Sequence, residues 1–217
     1  MGTNSSEAMN SDERLERMDA ILLHKQPALK VMLDDVHSSR NLSAILRTCD
    51  GVGIQQLYYS AADDHDLRIH KTITQGAHRW VERIRVGTEE KTEFLQEKQT
   101  QGYQIVVTHL EKHSISFREV DYTKPTIIVM GNEKEGVSSG IVDLADEVVI
   151  IPMQGMVQSL NVSVAAALIL YEAQRQLEEA GRYAVPQLSE KQREKIKSDW
   201  LYRDNIARRS KGKIPLP

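Results

Sequence analysis

The sequence predicts an α/β protein with a mostly parallel sheet flanked by helices. Strand-like and helix-like stretches alternate nearly from end to end. Several strand candidates, TIIVM and EVVIIP among them, are continuous apolar runs. That is the pattern of strands covered on both faces, and it separates a parallel sheet from a half-solvated antiparallel one. Finally, 217 residues with 40% hydrophobic content can bury a sizeable core in one domain, with or without an appendage.

SDERLERMDAILLHKQ carries Leu15, Met18 and Leu22 at helical spacing behind Ser11 as N-cap, and Pro27 ends it. Ala28 to Leu33 reads as a buried strand. Asn41 to Gly53 reads as a helix whose apolar face is Leu42, Ile45, Leu46 and Cys49, stopped by two glycines. QLYYS is the next strand, Asp66 to Gly76 a helix, and WVERIRV a strand. Thr88 to Thr100 reads as a helix closed by Gly102, followed by the strand Tyr103 to Thr108. TIIVM and EVVIIP are strands, Asn161 to Glu179 is a long helix, and a charged helix runs from about Ser189 to Arg209 after the break at Pro186. Residues 1–10 read as an appended disordered tail with Met9 a candidate native start. Residues 11–183 form the main domain and 184–217 a helical extension.

Cys49 is the one cysteine, so no internal disulfide framework exists and a cytosolic, cytoplasmic home is expected. No apolar run approaches the ~20 residues that span a bilayer, and the N-terminus lacks the apolar segment of a secretory signal. No membrane association is expected. The net charge is −3, but it is unevenly placed. From Arg175 onward there are eleven basic and six acidic residues, a net +5, which leaves −8 on the remainder. A basic end on an acidic body suits a polyanion; charge alone equally suits a solvated helical tail.

In an α/β sheet, ligands sit beyond the C-terminal strand ends, so the loops after Thr108, Met130 and Pro152 are the places to look. The stretch IIVMGNEKEGVSSGIVDLAD spaces Gly131 and Gly136 as a P-loop would. Val137 replaces the phosphate-binding lysine, however, and Glu133 and Glu135 are the wrong charge for a phosphate. Gly136-Val137-Ser138-Ser139-Gly140 also matches a nucleophile elbow, but His113 is the last histidine and precedes the serine, against the order such a triad needs. Ser138 is better read as a helix N-cap. Gly51 to Gly53 follows a helix, the reverse of a dinucleotide fingerprint. His109 and His113 share a spacing with zinc ligands, yet no cysteine or further histidine lies near, so no metal is expected. In NLSAILRTCD, Asn41 reads as a cap and Arg47 as a solvated residue off the apolar face. In IIPMQGMVQSLNVSVAAALIL, a buried strand leads through Gly155 to a polar Ser159-Leu160-Asn161 at the mouth of a small-residue helix, which core packing does not explain.

Taken together, NxxxxxR at Asn41 to Arg47, GNExxG at Gly131 to Gly136, and IPMxGxxxSLNVSVA at Ile151 to Ala165 resemble the motifs of the SPOUT-class RNA 2′-O-methyltransferases, SpoU/TrmH branch. The segments THLEKHSISFREVDYTKPT and MVQSLNVSVAAALILYEAQRQ, with the basic extension, are similar to members acting on tRNA. The resemblance implies a deep trefoil knot at the C-terminal end of the sheet, a homodimer, and S-adenosylmethionine held by the knot loops. Donor contacts would come from Thr108, His109, Leu110, Gly131, Asn132, Gly136, Ile151, Met153, Ser159 and Leu160. It also implies a catalytic group of Arg47 with Asn41, Glu133, Ser159 and Asn161. A donor with a sulfonium and an ammonium against one carboxylate is net cationic, so a loop bearing Glu133 and Glu135 tolerates it where a phosphate would be repelled. Ribosomal RNA methylation, a catalytically silent RNA-binding module and a small-molecule methyltransferase are the competing readings.

Overall fold

A computed structural model describes residues 11–61, 67–110, 113–132 and 134–209. Residues 1–10, the tail of the sequence reading, lie outside it. The chain runs α1 (Ser11–Leu23), β1 (Leu29–Leu33), α2 (Ser39–Gly51), β2 (Gln56–Tyr59), α3 (Lys71–Thr74), a 3-10 turn (Ala77–Arg79), β3 (Glu82–Arg85), α4 (Lys91–Thr100), β4 (Gln104–Thr108), β5 (Ile115–Ser116), β6 (Thr126–Met130), α5 (Ser139–Val142), β7 (Glu147–Ile150), α6 (Val162–Glu179) and α7 (Glu190–Arg209). The seven strands form one sheet in the order β3-β2-β1-β6-β4-β7-β5. Every strand pair is parallel, for example Leu29 opposite Thr126 and Val106 opposite Ile128.

Strand alternation sorts the core into two layers. Leu29, Val31 and Leu33 of β1 face Leu42, Ile45, Leu46 and Cys49 of α2 and Ile169, Leu170 and Ala173 of α6. Met32, Ile105, Val107, Ile127 and Val129 point to the opposite face, against Leu95 of α4 and Ile141 of α5. β1 and β6 are buried at all five positions, as their unbroken apolar runs require. A third cluster joins the two ends of the chain: Met18 and Leu22 of α1 pack with Leu188 and with Ile196 and Trp200 of α7.

Most elements match the sequence reading to within a residue or two at their ends, and the differences are local in origin. The helix expected over Asp66 to Gly76 is only α3 among the described residues. Gln75 and Gly76 take positive φ of 49° and 101°, which unwinds the chain into the 3-10 turn. The backbone N–H of His70, just before α3, donates to Ser43 Oγ on α2 at 3.0 Å. α4 starts at Lys91 rather than Thr88. α2 starts at Ser39, and its N-cap is Ser38, whose hydroxyl accepts from the Asn41 N–H. Asn41 therefore sits in the first turn and is not the cap. Ser138 does precede α5 in extended conformation, but its hydroxyl makes no capping bond. The two-residue β5 is too short to leave a periodic signal, and the sequence reading has no strand there.

Candidate active site

The sheet order sets the ends of β6, β4 and β7 side by side. The loops leaving them enclose a cavity of about 800 Å³. All ten residues expected to contact a donor lie on its wall: Thr108, His109 and Leu110 after β4; Gly131, Asn132 and Gly136 after β6; Ile151, Met153, Ser159 and Leu160 after β7.

The glycine loop is shaped by its own backbone. Asn132 and Gly136 form a two-way bridge, with N–H to carbonyl distances of 3.1 and 3.2 Å. The Asn132 side chain, 8% exposed, spans the turn: its Oδ1 accepts from the N–H groups of Lys134 at 2.9 Å and Glu135 at 2.7 Å. A Cβ on Gly131 would sit 2.1 Å from the Gly136 carbonyl carbon, so no side chain fits there. Gly136 takes φ of +73°, the left-handed region that glycine enters without strain.

The third loop ends at Asn161, the N-cap of α6. Its Oδ1 accepts from the Ser163 N–H at 2.9 Å and the Ser163 hydroxyl at 2.6 Å. Its Nδ2 donates to Asn41 Oδ1 at 3.3 Å across 120 residues of sequence. This bond brings the first turn of α2 to the cavity mouth, where Asn161 and Ser159 both line the wall. Arg47 is on the same helix, about 9 Å further along at 1.5 Å per residue. It is exposed, while Leu42, Ile45, Leu46 and Cys49 are fully buried. Neither Asn41 nor Arg47 is part of the cavity wall itself.

Glu133 lies outside the described residues. The expectation of a carboxylate-lined cavity needs correcting for its neighbour. Glu135 is exposed and borders a separate recess of about 400 Å³, together with Val137, Ser138 and Asp143. Among the described residues the cavity wall holds no Asp, Glu, Lys or Arg, and its one titratable side chain is His109. The described wall therefore offers a phosphate no lysine or arginine and is largely apolar. Among the described residues no cluster of three or more His, Cys, Asp or Glu is placed to hold a metal ion, and no helix is long and apolar enough to cross a membrane.

The sequence reading missed wall residues whose role depends on where a helix points. Ala165 and Ile169 of α6 face the cavity one turn apart, and Val157 and Gln158 come from the loop before it. The small-residue content of α6 was the available signal.

The profile of the SpoU rRNA Methylase family matches residues 28–171. The chain is 50% identical over 202 residues to the tRNA (guanosine(18)-2′-O)-methyltransferase of Aquifex aeolicus, covering 92% of this chain and 94% of that protein. Among solved structures it is similar to the A. aeolicus TrmH/SpoU tRNA modifying enzyme, with a TM-score of 0.85 and 50% identity over 89% of this chain and 97% of that one. It is also similar to the AdoMet-bound rRNA methyltransferase from Sinorhizobium meliloti, with a TM-score of 0.63 and 26% identity over 77% and 70% of the two chains. Matched over most of its length in both sequence and fold, the chain belongs to the SpoU methylase family.

Proposed function

We propose that this protein methylates the ribose 2′-hydroxyl of guanosine 18 in the D-loop of tRNA, with S-adenosylmethionine as donor. The single observation that carries the proposal is the convergence of three chain segments, remote in sequence, on one cavity whose mouth is tied to the arginine-bearing helix. Similarity to the tRNA enzyme runs through 92% of this chain, beyond the part shared by the family as a whole. This favours tRNA over ribosomal RNA.

The residues present suit such a donor. An adenosine needs apolar walls and a few backbone groups, and Ile151, Met153 and Leu160 with the three loop backbones provide both. A net cation meets no lysine or arginine among the described wall residues. Gly131 and Gly136 both line the cavity and bring no side chain to its wall.

Bound there, S-adenosylmethionine supplies an electrophilic methyl group on a cationic sulfur. The protein's part is to align the sugar oxygen, raise its nucleophilicity and exclude water. A guanidinium is not deprotonated at working pH, so Arg47 acts as an electrostatic group and not as a base. It grips a phosphate beside the target ribose and stabilises negative charge developing on the 2′-oxygen. Asn41 and Asn161, hydrogen-bonded to each other, hold that helix against the donor loop, and Ser159 offers a further hydroxyl at the same mouth. Glu133 orders the loop and arginine or accepts the proton.

The proposal extends to the remaining architecture. The C-terminal end of the sheet forms a deep trefoil knot, an exception to the usual unknotted chain. Two subunits pack together, supported by the exposed stripe Val164, Leu168 and Tyr171 on α6 and by exposed Leu110, Met156 and Val157 beside the cavity. Residues 11–183 carry the chemistry, 184–217 contact RNA through their basic charge, and the enzyme works in the cytoplasm.

Mass mapping of unmodified tRNA and rRNA fragments after incubation with labelled donor tests the proposal. One methyl on the guanosine 18 ribose is expected. Labelling of rRNA alone would transfer the activity to the rival substrate, and no donor binding by calorimetry would leave a silent RNA-binding module.

A further inference from the structure

Asp34 is 1% exposed just past β1 and is not part of the cavity wall. Both of its carboxylate oxygens are engaged. Oδ1 accepts from Lys91 Nζ at 2.7 Å, and Oδ2 accepts from the backbone N–H of Ser138, also at 2.7 Å. Its own N–H donates to the carbonyl of Met130 at 2.8 Å. Met130 is the last residue before the glycine loop and Ser138 follows its exit, so one residue grips the loop at both ends.

The next residue extends the connection. Asp35 turns the chain with φ of +48° and is pinned by its N–H donating to Ser60 Oγ at 2.8 Å. Its Oδ2 accepts from Lys91 at 2.6 Å. Three residues later comes Ser38, the cap of α2, which carries Asn41 and Arg47. Burial pulls the Lys91 ammonium down, but the bonds and charges of Asp34 and Asp35 outweigh it and hold its pKa above the ordinary lysine value. The lysine therefore stays charged between the two carboxylates.

A buried ion pair is a poor way to add stability, because desolvation offsets most of the attraction and apolar packing would serve as well. What this pair does offer is direction, since charge-assisted bonds fix donors at short range and at set angles. We infer that Asp34, held by Lys91, is a positioning residue of the donor site, clamping both ends of the glycine loop and tying it to the helix that bears Arg47. The role rests on the donor reading of the cavity.

Two variants test it. Asp34→Asn keeps the shape but cannot serve two donors with a charged acceptor, and Lys91 retains Asp35. Ser138→Pro deletes the N–H that Asp34 grips, at a φ of −61° that the proline ring accepts, along with a hydroxyl that makes no capping bond; it decides the matter if Asp34→Asn does not fold. For each, the Kd for S-adenosylmethionine by calorimetry should rise tenfold or more, and the donor KM with it. At saturating donor, kcat should stay within threefold of wild type, and the tRNA Kd by filter binding within twofold. A folded variant that binds donor within twofold of wild type would overturn the role, as would donor and tRNA affinities falling in parallel, which marks general destabilisation. Wild-type protein that binds no donor would instead overturn the reading of the cavity, and the role with it.

Discussion

At the scale of single residues, two cations show opposite uses of charge. Arg47 is exposed on α2, opposite the buried face of its helix, so its cost to folding is small. Arg47→Lys keeps the charge but loses the planar fork. Methyl transfer should drop tenfold or more, while stability by urea unfolding changes by no more than about 0.5 kcal/mol, as for other exposed substitutions. Near-normal turnover would rule out a two-pronged grip on phosphate. Lys30 is the reverse case. It points inward from β1, 8% exposed, with Nζ donating to Gln56 Oε1 at 2.8 Å and lying over the rings of Tyr58 and Tyr103. Burial first, and then the nearby Lys98, lower its pKa to about 8 from an ordinary 10.5, against a partial offset from Glu82. Between those values the unfolded chain binds more protons than the folded one, so this lysine makes stability rise with pH. Above pH 10 the effect is opposed by Tyr58, whose pKa burial raises to about 12. Relative to Lys30→Met, the wild type should gain roughly 2–3 kcal/mol in urea unfolding between pH 7 and pH 10. A constant difference between the two proteins would show that Lys30 titrates normally.

At the scale of elements, α7 is a docked helix and not a trailing basic tail. Trp200 is 1% exposed, donates its indole N–H to the Trp80 carbonyl at 3.0 Å, and meets the Trp80 ring edge-on at 5.4 Å. Lys25, wholly buried and paired with Asp50 at 3.5 Å, lies 5.3 Å from the Trp200 ring. Asp204, one turn further along, bridges Arg14 of α1 and Arg79 of the 3-10 turn. Removing everything after Pro186 would uncover Met18, Leu22 and Trp80, so truncation perturbs the fold along with the RNA contact. A point change is cleaner. Trp200→Ala removes the anchor at a cost of about 3–5 kcal/mol to α7 docking. Affinity for tRNA by filter binding should fall tenfold or more, with the donor Kd by calorimetry within twofold of wild type. Unchanged tRNA affinity would separate α7 from RNA recognition.

At the scale of the whole molecule, the apolar stripe of α6 suits a second copy of the chain. Val164, Leu168 and Tyr171 recur at four and then three residues, 43–54% exposed, on the helix whose opposite face fills the core. Leu168→Glu should shift the sedimenting mass toward that of a single 24.6 kDa chain and reduce methyl transfer with it. A wild type that already sediments at that mass would remove the second subunit. The sequence by itself determined the parallel sheet, since unbroken apolar strands such as Thr126–Met130 need cover on both faces. It also determined the three loops that meet at the cavity, because glycine spacing and the Ser159-Leu160-Asn161 cap are properties of neighbours along the chain. It did not reveal the short β5, the unwinding after α3, or the placement of Glu135 outside the cavity. Nor did it reveal the contact of Asp34 with Ser138, of Asn41 with Asn161, or of Trp80 with Trp200, partners 104 to 120 residues apart. Periodicity and turn chemistry report what a residue does with its nearest neighbours in the chain. Pairings across a hundred residues depend on the path of the backbone through the sheet, and only the folded structure decides that path.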